Sequence, residues 1–280
     1  MKKRISELLL ANRIDCFGFL PLDACTVQKP HLLERYGIQS GSVALFAIPY
    51  YTRACDGERN LSSYAVGKDY HLYFRMLTEK ILEALRAEFP QNRFAAFADH
   101  SPIDERRAAA MAGLGVIGQN GLLITEKYSS YVFIGELLTD ALLEASPQEI
   151  SPCIGCGACQ KICPQKSGEC ADCLSSLTQK KGVLSPSEES VIRNRKSAWG
   201  CDLCQEVCPY TASAKKRGTL YSPIGFFNEE TLALLSAEIL TQMDDEAFSK
   251  RAYSWRGREV ISRNLALLEK RNDLTKDAPT

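Results

Sequence analysis

The chain has 280 residues, is 45% hydrophobic and 24% charged, and sets 34 Lys+Arg against 34 Asp+Glu. That neutral, ordinary globular composition gives no electrostatic case for broad nucleic-acid binding, a local basic patch aside. No run approaches the roughly 18 apolar residues of a membrane span. The opening MKKRISELLLANRID lacks the unbroken apolar core of an export signal, so a cytoplasmic protein is expected.

In chain order, residues 2–13 read as a short amphipathic helix. CFGFLPL (16–22) and SVALFAIPYY (42–51) read as buried strands, the second a continuous apolar run bounded by Gly and a polar loop. Residues 68–88 carry Leu72, Leu77, Ile81, Leu82 and Leu85 at helical spacing. RFAAFAD (93–99) reads as a strand ending at Asp, IDERRAAAMAG (103–113) as a helix stopped by Gly, and YVFIGELL (131–138) as another strand. Residues 147–218 are rich in Cys, Pro and Ser and short of apolar runs, which predicts a small domain held by metal more than by a core. Residues 226–270 return to helical patterns, and the last ten are polar and expected to fray. This divides the chain at 1–145, 146–218 and 219–280.

Nine of the twelve cysteines fall between residues 153 and 208, too clustered for a disulfide scaffold in a chain of this length. CIGCGACQKICP (153–164) supplies Cys153, Cys156, Cys159 and Cys163 in the CxxCxxCxxxCP run that binds iron–sulfur clusters. The fourth cysteine of such a run ligates a second cluster in two-cluster ferredoxins. A second group is therefore expected, and GCDLCQEVCP provides Cys201, Cys204 and Cys208. The eighth ligand is either Cys170 or Cys173, in GECADCLSSL. The competing reading is structural zinc, which also takes CxxC pairs but seldom in this run. Cys16, Cys25 and Cys55 lie apart and read as small buried hydrophobes without a role.

GLGVIG (113–118) matches G-x-G-x-x-G in form. A helix-like run precedes it where the dinucleotide fingerprint requires a strand, so it is set aside. No Walker A motif occurs, and His31, His71 and His100 are too dispersed to predict a metal site.

Four segments then agree in order and spacing with one family: YAVGKDYH (64–71), FADHSPIDERRAAAMAGLGVIGQNGLLI (97–124), FIGELLTD (133–140), and the double-cluster pattern with CLSSLT and GCDLCQEVCP. WRGREVISRNLALL (255–268) is a weaker fifth. On these the chain resembles the cobalamin-dependent epoxyqueuosine reductases of queuosine biosynthesis, relatives of the reductive dehalogenases. The resemblance implies an α+β architecture: an N-terminal α/β cobalamin domain, a ferredoxin-like domain with two [4Fe–4S] clusters, and a short helical C-terminus. It implies that electrons pass through the clusters to base-off cobalamin while a protein acid supplies a proton. The family's CLSS-type alignment favours Cys173 over Cys170. One cluster would then take Cys153, Cys156, Cys159 and Cys208, and the other Cys163, Cys173, Cys201 and Cys204.

Asp99 matches the family's proton donor; the competing reading is that it caps the following helix. Cobalamin contacts implied by the resemblance fall near Leu123, Ile134, Leu174, Asp202 and Leu203. Tyr64 and His71 match the stretch near the cavity, His71 equally reading as a helix N-terminal residue satisfied locally. An external electron donor of flavodoxin or ferredoxin type is expected.

Three departures bear on the substrate. The helical repeats with which family members grip tRNA do not follow the last matching helix, Gln119 replaces a lysine in GQN, and the segment between Cys163 and Cys173 is short. Without a basic excess, tRNA is expected to bind weakly. The alternatives are a cobalamin-dependent reductase of a small molecule, or a ferredoxin-like carrier or activator that needs neither corrin chamber nor acid.

Overall fold

The computed structural model describes residues 1–276, leaving the last four positions of the expected frayed tail outside the described residues. The chain forms two compact units. The first comprises Met1–Tyr50, His71–Cys156 and Ser213–Ile224; the second comprises Tyr51–Tyr70, Gly157–Ala212 and the described residues from Gly225 on.

Along the first stretch run α1 (Lys2–Ala11), β1 (Phe17–Pro21), α2 (Pro30–Arg35), β2 (Ser42–Pro49), α3 (Tyr70–Glu88), β3 (Phe94–Phe97), α4 (Glu105–Met111), β4 (Val116–Ile117), β5 (Leu123–Ile124) and β6 (Val132–Thr139). Four strands make an antiparallel sheet in the order β1-β2-β6-β3, and β4-β5 form a separate hairpin. Every residue of β2 is buried, as its unbroken apolar run predicts, because both faces are covered. On one face Val43, Leu45 and Leu138 pack with Ala108 and Ala109 of α4. On the other, Phe46 stacks on Phe74 of α3 at 6.4 Å. That stacking leaves no room at Gly135, where a Cβ would lie 2.3 Å from the Phe46 ring. Strand β1, expected to be buried, is mostly half-buried because it lies at the sheet edge.

Beyond residue 150 run α5 (Ala158–Ile162), α6 (Leu174–Gln179), α7 (Pro186–Arg195), α8 (Leu203–Glu206), α9 (Pro209–Arg217), α10 (Ala237–Gln242), α11 (Asp245–Ser249) and α12 (Arg258–Lys276). Helix α12 is the spine of the second unit and packs on α6, α7 and α10. Trp199, Tyr253, Ile261 and Leu265 form one core there, and Leu174, Leu177, Ile192 and Leu267 another. Fully buried Asn264 ties the two by donating to the Thr178 and Ala198 carbonyls at 2.7 and 2.8 Å. The expectation of a frayed final ten residues is corrected: α12 continues to Lys276. No helix among the described residues is long and apolar enough to cross a membrane.

Candidate functional site

Asp99 sits just past β3 with φ +59°, a left-handed backbone rarely adopted outside glycine. His100 N–H bonds the Ala98 carbonyl at 2.6 Å across it, so Asp99 is the central residue of a γ-turn, a strained arrangement of the kind found at functional sites. It does not cap the next helix. Asp104 does, accepting from the Arg107 N–H at 3.2 Å. The Asp99 side chain is 66% exposed, and its Oδ2 lies 3.6 Å from Nε2 of His71 at the start of α3. His71 therefore faces Asp99. A cavity of about 320 Å³ opens beside this turn, with Arg35, Arg75, His71 and His100 on its walls.

Two acids that sequence reasoning passed over lie behind Asp99. Glu136 of β6 is fully buried, and neither carboxyl oxygen receives a hydrogen bond. Ser101 is its polar neighbour, but the Ser101 hydroxyl donates to the Ile103 carbonyl at 2.8 Å. Burial pushes Glu136 up to about 8, the nearby Glu105 charge adding to the rise while Lys29 and Ser101 oppose it. Glu105, first residue of α4, is raised to about 7 by burial and by the Asp99 charge, against Arg106 and the Asp99 N–H bonded to its carboxylate. The sequence did carry a signal for Glu136, a lone acid within an otherwise apolar strand.

Leu123 of β5 is buried, and Ile134 of β6 is half-buried on the α4 side of the sheet. GLGVIG ends in β4, which pairs with β5 instead of opening a helix. Cys153 follows from this hairpin, its N–H bonded to the Ile117 carbonyl at 3.3 Å. Cys156 is exposed at the end of the same unit.

In the second unit a cavity of about 310 Å³ is lined by Leu174, Cys201, Asp202 and Leu203, with Arg59 and Arg195 adding positive charge. Three residues expected to contact a corrin thus share one hollow. The Asp202 carboxylate is already saturated: Ser63 N–H and Oγ donate at 2.6 and 2.7 Å, Arg59 Nη2 and Gln205 Nε2 at 3.2 Å each, and Ser62 Oγ also donates. Its side chain holds the fold, so any ligand contact falls to its backbone. Tyr64 accepts from Gln179 Nε2 at 3.5 Å, and burial raises its phenol. Gly200 (φ +74°) must be glycine, since a Cβ would lie 2.4 Å from Ser62.

Helix α5, with Cys159, packs against α8, with Cys204. Cys163 ends α5, Cys173 caps α6, and Cys208 follows α8. The Cys201 thiol is pushed up to about 12, first by burial and then by Asp202, Cys204 and Cys173. Cys170 is raised by burial and then by Cys163, Glu169 and Cys173, and its thiol bonds the Asp172 carbonyl at 3.0 Å. Thiols crowded so that each opposes ionisation of the next are a donor set that a soft cation relieves. None of the twelve cysteines forms a disulfide. No three His, Cys, Asp or Glu side chains among the described residues close around a single-ion position. Burial lifts the Cys16 and Cys25 thiols to about 11 and about 12, in keeping with inert side chains.

No protein-family model matches the chain. It is 37% identical over 166 residues to an epoxyqueuosine reductase of Pseudomonas aeruginosa, covering 56% of this chain and 45% of that protein. It is 30% identical over 220 residues to one of Gloeobacter violaceus, covering 75% of this chain and 68% of the relative. Its fold matches a crystal structure of epoxyqueuosine reductase with an epoxyqueuosine-modified tRNA-Tyr stem loop, at a TM-score of 0.73 and 23% identity over 95% of this chain and 80% of that one. The chain spans less than half of the first relative and about two thirds of the second. On that extended identity it belongs to the epoxyqueuosine reductase family, oxidoreductases by name.

Proposed function

We propose that this chain is a cytoplasmic reductase of the epoxyqueuosine type, acting on a tRNA-borne epoxide with two [4Fe–4S] clusters and base-off cobalamin. The observation that carries this reading is Asp99: a carboxyl on a strained turn, released from helix capping, facing His71 beside a basic cavity. An acid is what the reaction needs, because an oxygen leaving carbon must be protonated. Arg35 and Arg75 supply a local attraction for a polyanion that the neutral net charge conceals. The tRNA stem loop in the solved relative supports an RNA substrate.

Cys153, Cys156, Cys159 and Cys208 would hold one cluster. Cys163, Cys173, Cys201 and Cys204 would hold the other, Cys173 being preferred to Cys170 as a neighbour of Cys201. The corrin contacts that the family resemblance implies are Leu123, Ile134, Leu174, Leu203, Tyr64, His71 and the Asp202 backbone. When bound, the cofactors would supply two electrons, drawn from a flavodoxin- or ferredoxin-type donor. The residues of the chain do the rest: Asp99 delivers a proton to the departing oxygen, and His71 keeps its carboxyl turned to the site.

The test is anaerobic. Clusters are reconstituted, iron is counted, and cob(II)alamin is added while its EPR spectrum is recorded. A base-off signal with about eight irons per chain is expected, followed by reduction of an epoxyqueuosine-bearing anticodon stem loop. Eight irons with an unchanged cobalamin signal would leave an electron carrier.

A further inference from the structure

Deoxygenation of an epoxide to an alkene and water consumes two electrons and two protons. A single carboxyl at Asp99 can carry only one proton at a time. Behind it the first unit holds a fully buried carboxyl, Glu136, and a half-buried one, Glu105. Glu136 has no exposed surface and no hydrogen bond to either oxygen, and Glu105 Oε2 is buried and equally unpartnered. An ionised carboxylate in that setting is costly, whereas a neutral acid finds an acceptor in Ser101 Oγ, which has a lone pair beyond the one taken by the Ile103 N–H. The two acids lie in sequence behind the turn. Glu136 pairs across the sheet with Phe97, two residues before Asp99, and α4, which Glu105 opens, packs on β6.

We propose that Glu136 and Glu105 form a buried proton store that recharges Asp99 within a turnover. The inference rests on the reading of Asp99 given above. Asp99 gives its proton to the leaving oxygen and becomes a carboxylate. The Glu105 carboxyl passes its proton to Asp99, and Glu136 passes its own to Glu105. Asp99 then delivers the second proton, completing water. After product leaves, solvent reloads the chain of acids through the exposed Asp99. No electron moves along this path, and each bond to hydrogen broken is matched by one formed.

The groups facing the store are few. Lys29 and Ser101 face Glu136, along with the Cys25 thiol; Arg106, Asp104 and Asp99 face Glu105. Lys29 also contacts His100 Nδ1 at 3.2 Å, which draws its charge toward the surface. Burial favours the neutral acid at both positions, most strongly at Glu136, so the store empties as the solution becomes alkaline.

Infrared spectroscopy of the folded chain tests the store without any cofactor. The wild-type protein should show a protonated-carboxyl C=O band at neutral pH that shifts in D2O and disappears on alkaline titration. Glu136→Gln should remove most of it. Single-turnover assays with the loaded enzyme test the relay. Glu136→Gln should slow turnover on the order of ten- to a hundredfold, increasingly so toward alkaline pH, and should add nothing in an Asp99→Asn background. Glu105→Gln should behave alike and serves if the first variant folds poorly. Absence of the band overturns the store whatever the enzyme does. A band with an unchanged pH–rate profile in both variants leaves a structural acid and overturns the relay. A wild-type protein that shows the band but reduces no epoxide overturns the reading of the site, and the relay with it.

Discussion

The two units are stabilised in different ways. The first has a four-stranded sheet whose central strand is buried on both faces, flanked by α3 and α4. The second is built from helices of four to ten residues around the longer α12. Between Gly157 and Cys173 only Pro164 is buried, yet that stretch carries Cys159, Cys163, Cys170 and Cys173. A segment with so little apolar burial takes its stability from what its thiols bind. The sheet of the first unit needs no cofactor to keep its shape, whereas the 157–173 segment of the second would gain stability from a bound metal.

The sharpest way to break this contrast is chemical. Asp99→Asn should lower turnover by about 10²–10⁴-fold while iron content and cobalamin binding stay as in the wild type; unchanged turnover in a steady-state assay would remove Asp99 from the mechanism. Next, Cys201→Ala should cost about four of eight irons by colorimetric assay. It should also expose the 157–173 segment to protease while the sheet unit stays protected. Retention of all iron would assign Cys201 elsewhere. In the sheet, Leu138→Ala should destabilise by about 2–5 kcal/mol in denaturant titration, irrespective of iron content; dependence on iron would merge the two units energetically.

The subtlest readout is a slope. Glu136 keeps its proton when folded up to about pH 8, and unfolded it releases the proton near 4.5. The stability it contributes is complete below the lower value and is lost as pH rises through that window, at about 1.4 kcal/mol per pH unit. Glu136→Gln should flatten stability against pH by about one proton in urea melts. An unchanged slope would mean that Glu136 ionises normally.

How much of this was legible in the sequence differs between the units. Strand β2 was readable because a continuous apolar run buried on both faces has few other solutions, and β6 because its apolar run is broken only by Gly135 and Glu136. Helix α2 was not anticipated, although Pro30 at its first turn and the Leu32–Leu33 pair mark it. The cysteine spacings announced a cluster chemistry, but no spacing reveals which thiols crowd Cys201. Asp99 was legible as a residue type and a family position, whereas its left-handed turn and its partnership with His71 are tertiary facts. Asp202 was expected at the cofactor; its saturation by Ser62 and Ser63 depends on residues about 140 positions away. The end of α12 was misjudged because a polar composition does not by itself unwind a helix.

Ile117 occupies an unusual junction. It pairs with Leu123 in the hairpin, bridges to Pro152, and accepts the N–H of Cys153. A single peptide thus joins the first predicted iron ligand to a predicted corrin contact, so the two proposed sites would be coupled through one backbone unit. Iron capture at Cys153 should set the hairpin before the corrin arrives. Cobalamin should bind the iron-free chain more weakly than the iron-loaded chain. Equal affinities of the two forms, measured by equilibrium dialysis, would show that the hairpin is set without the metal.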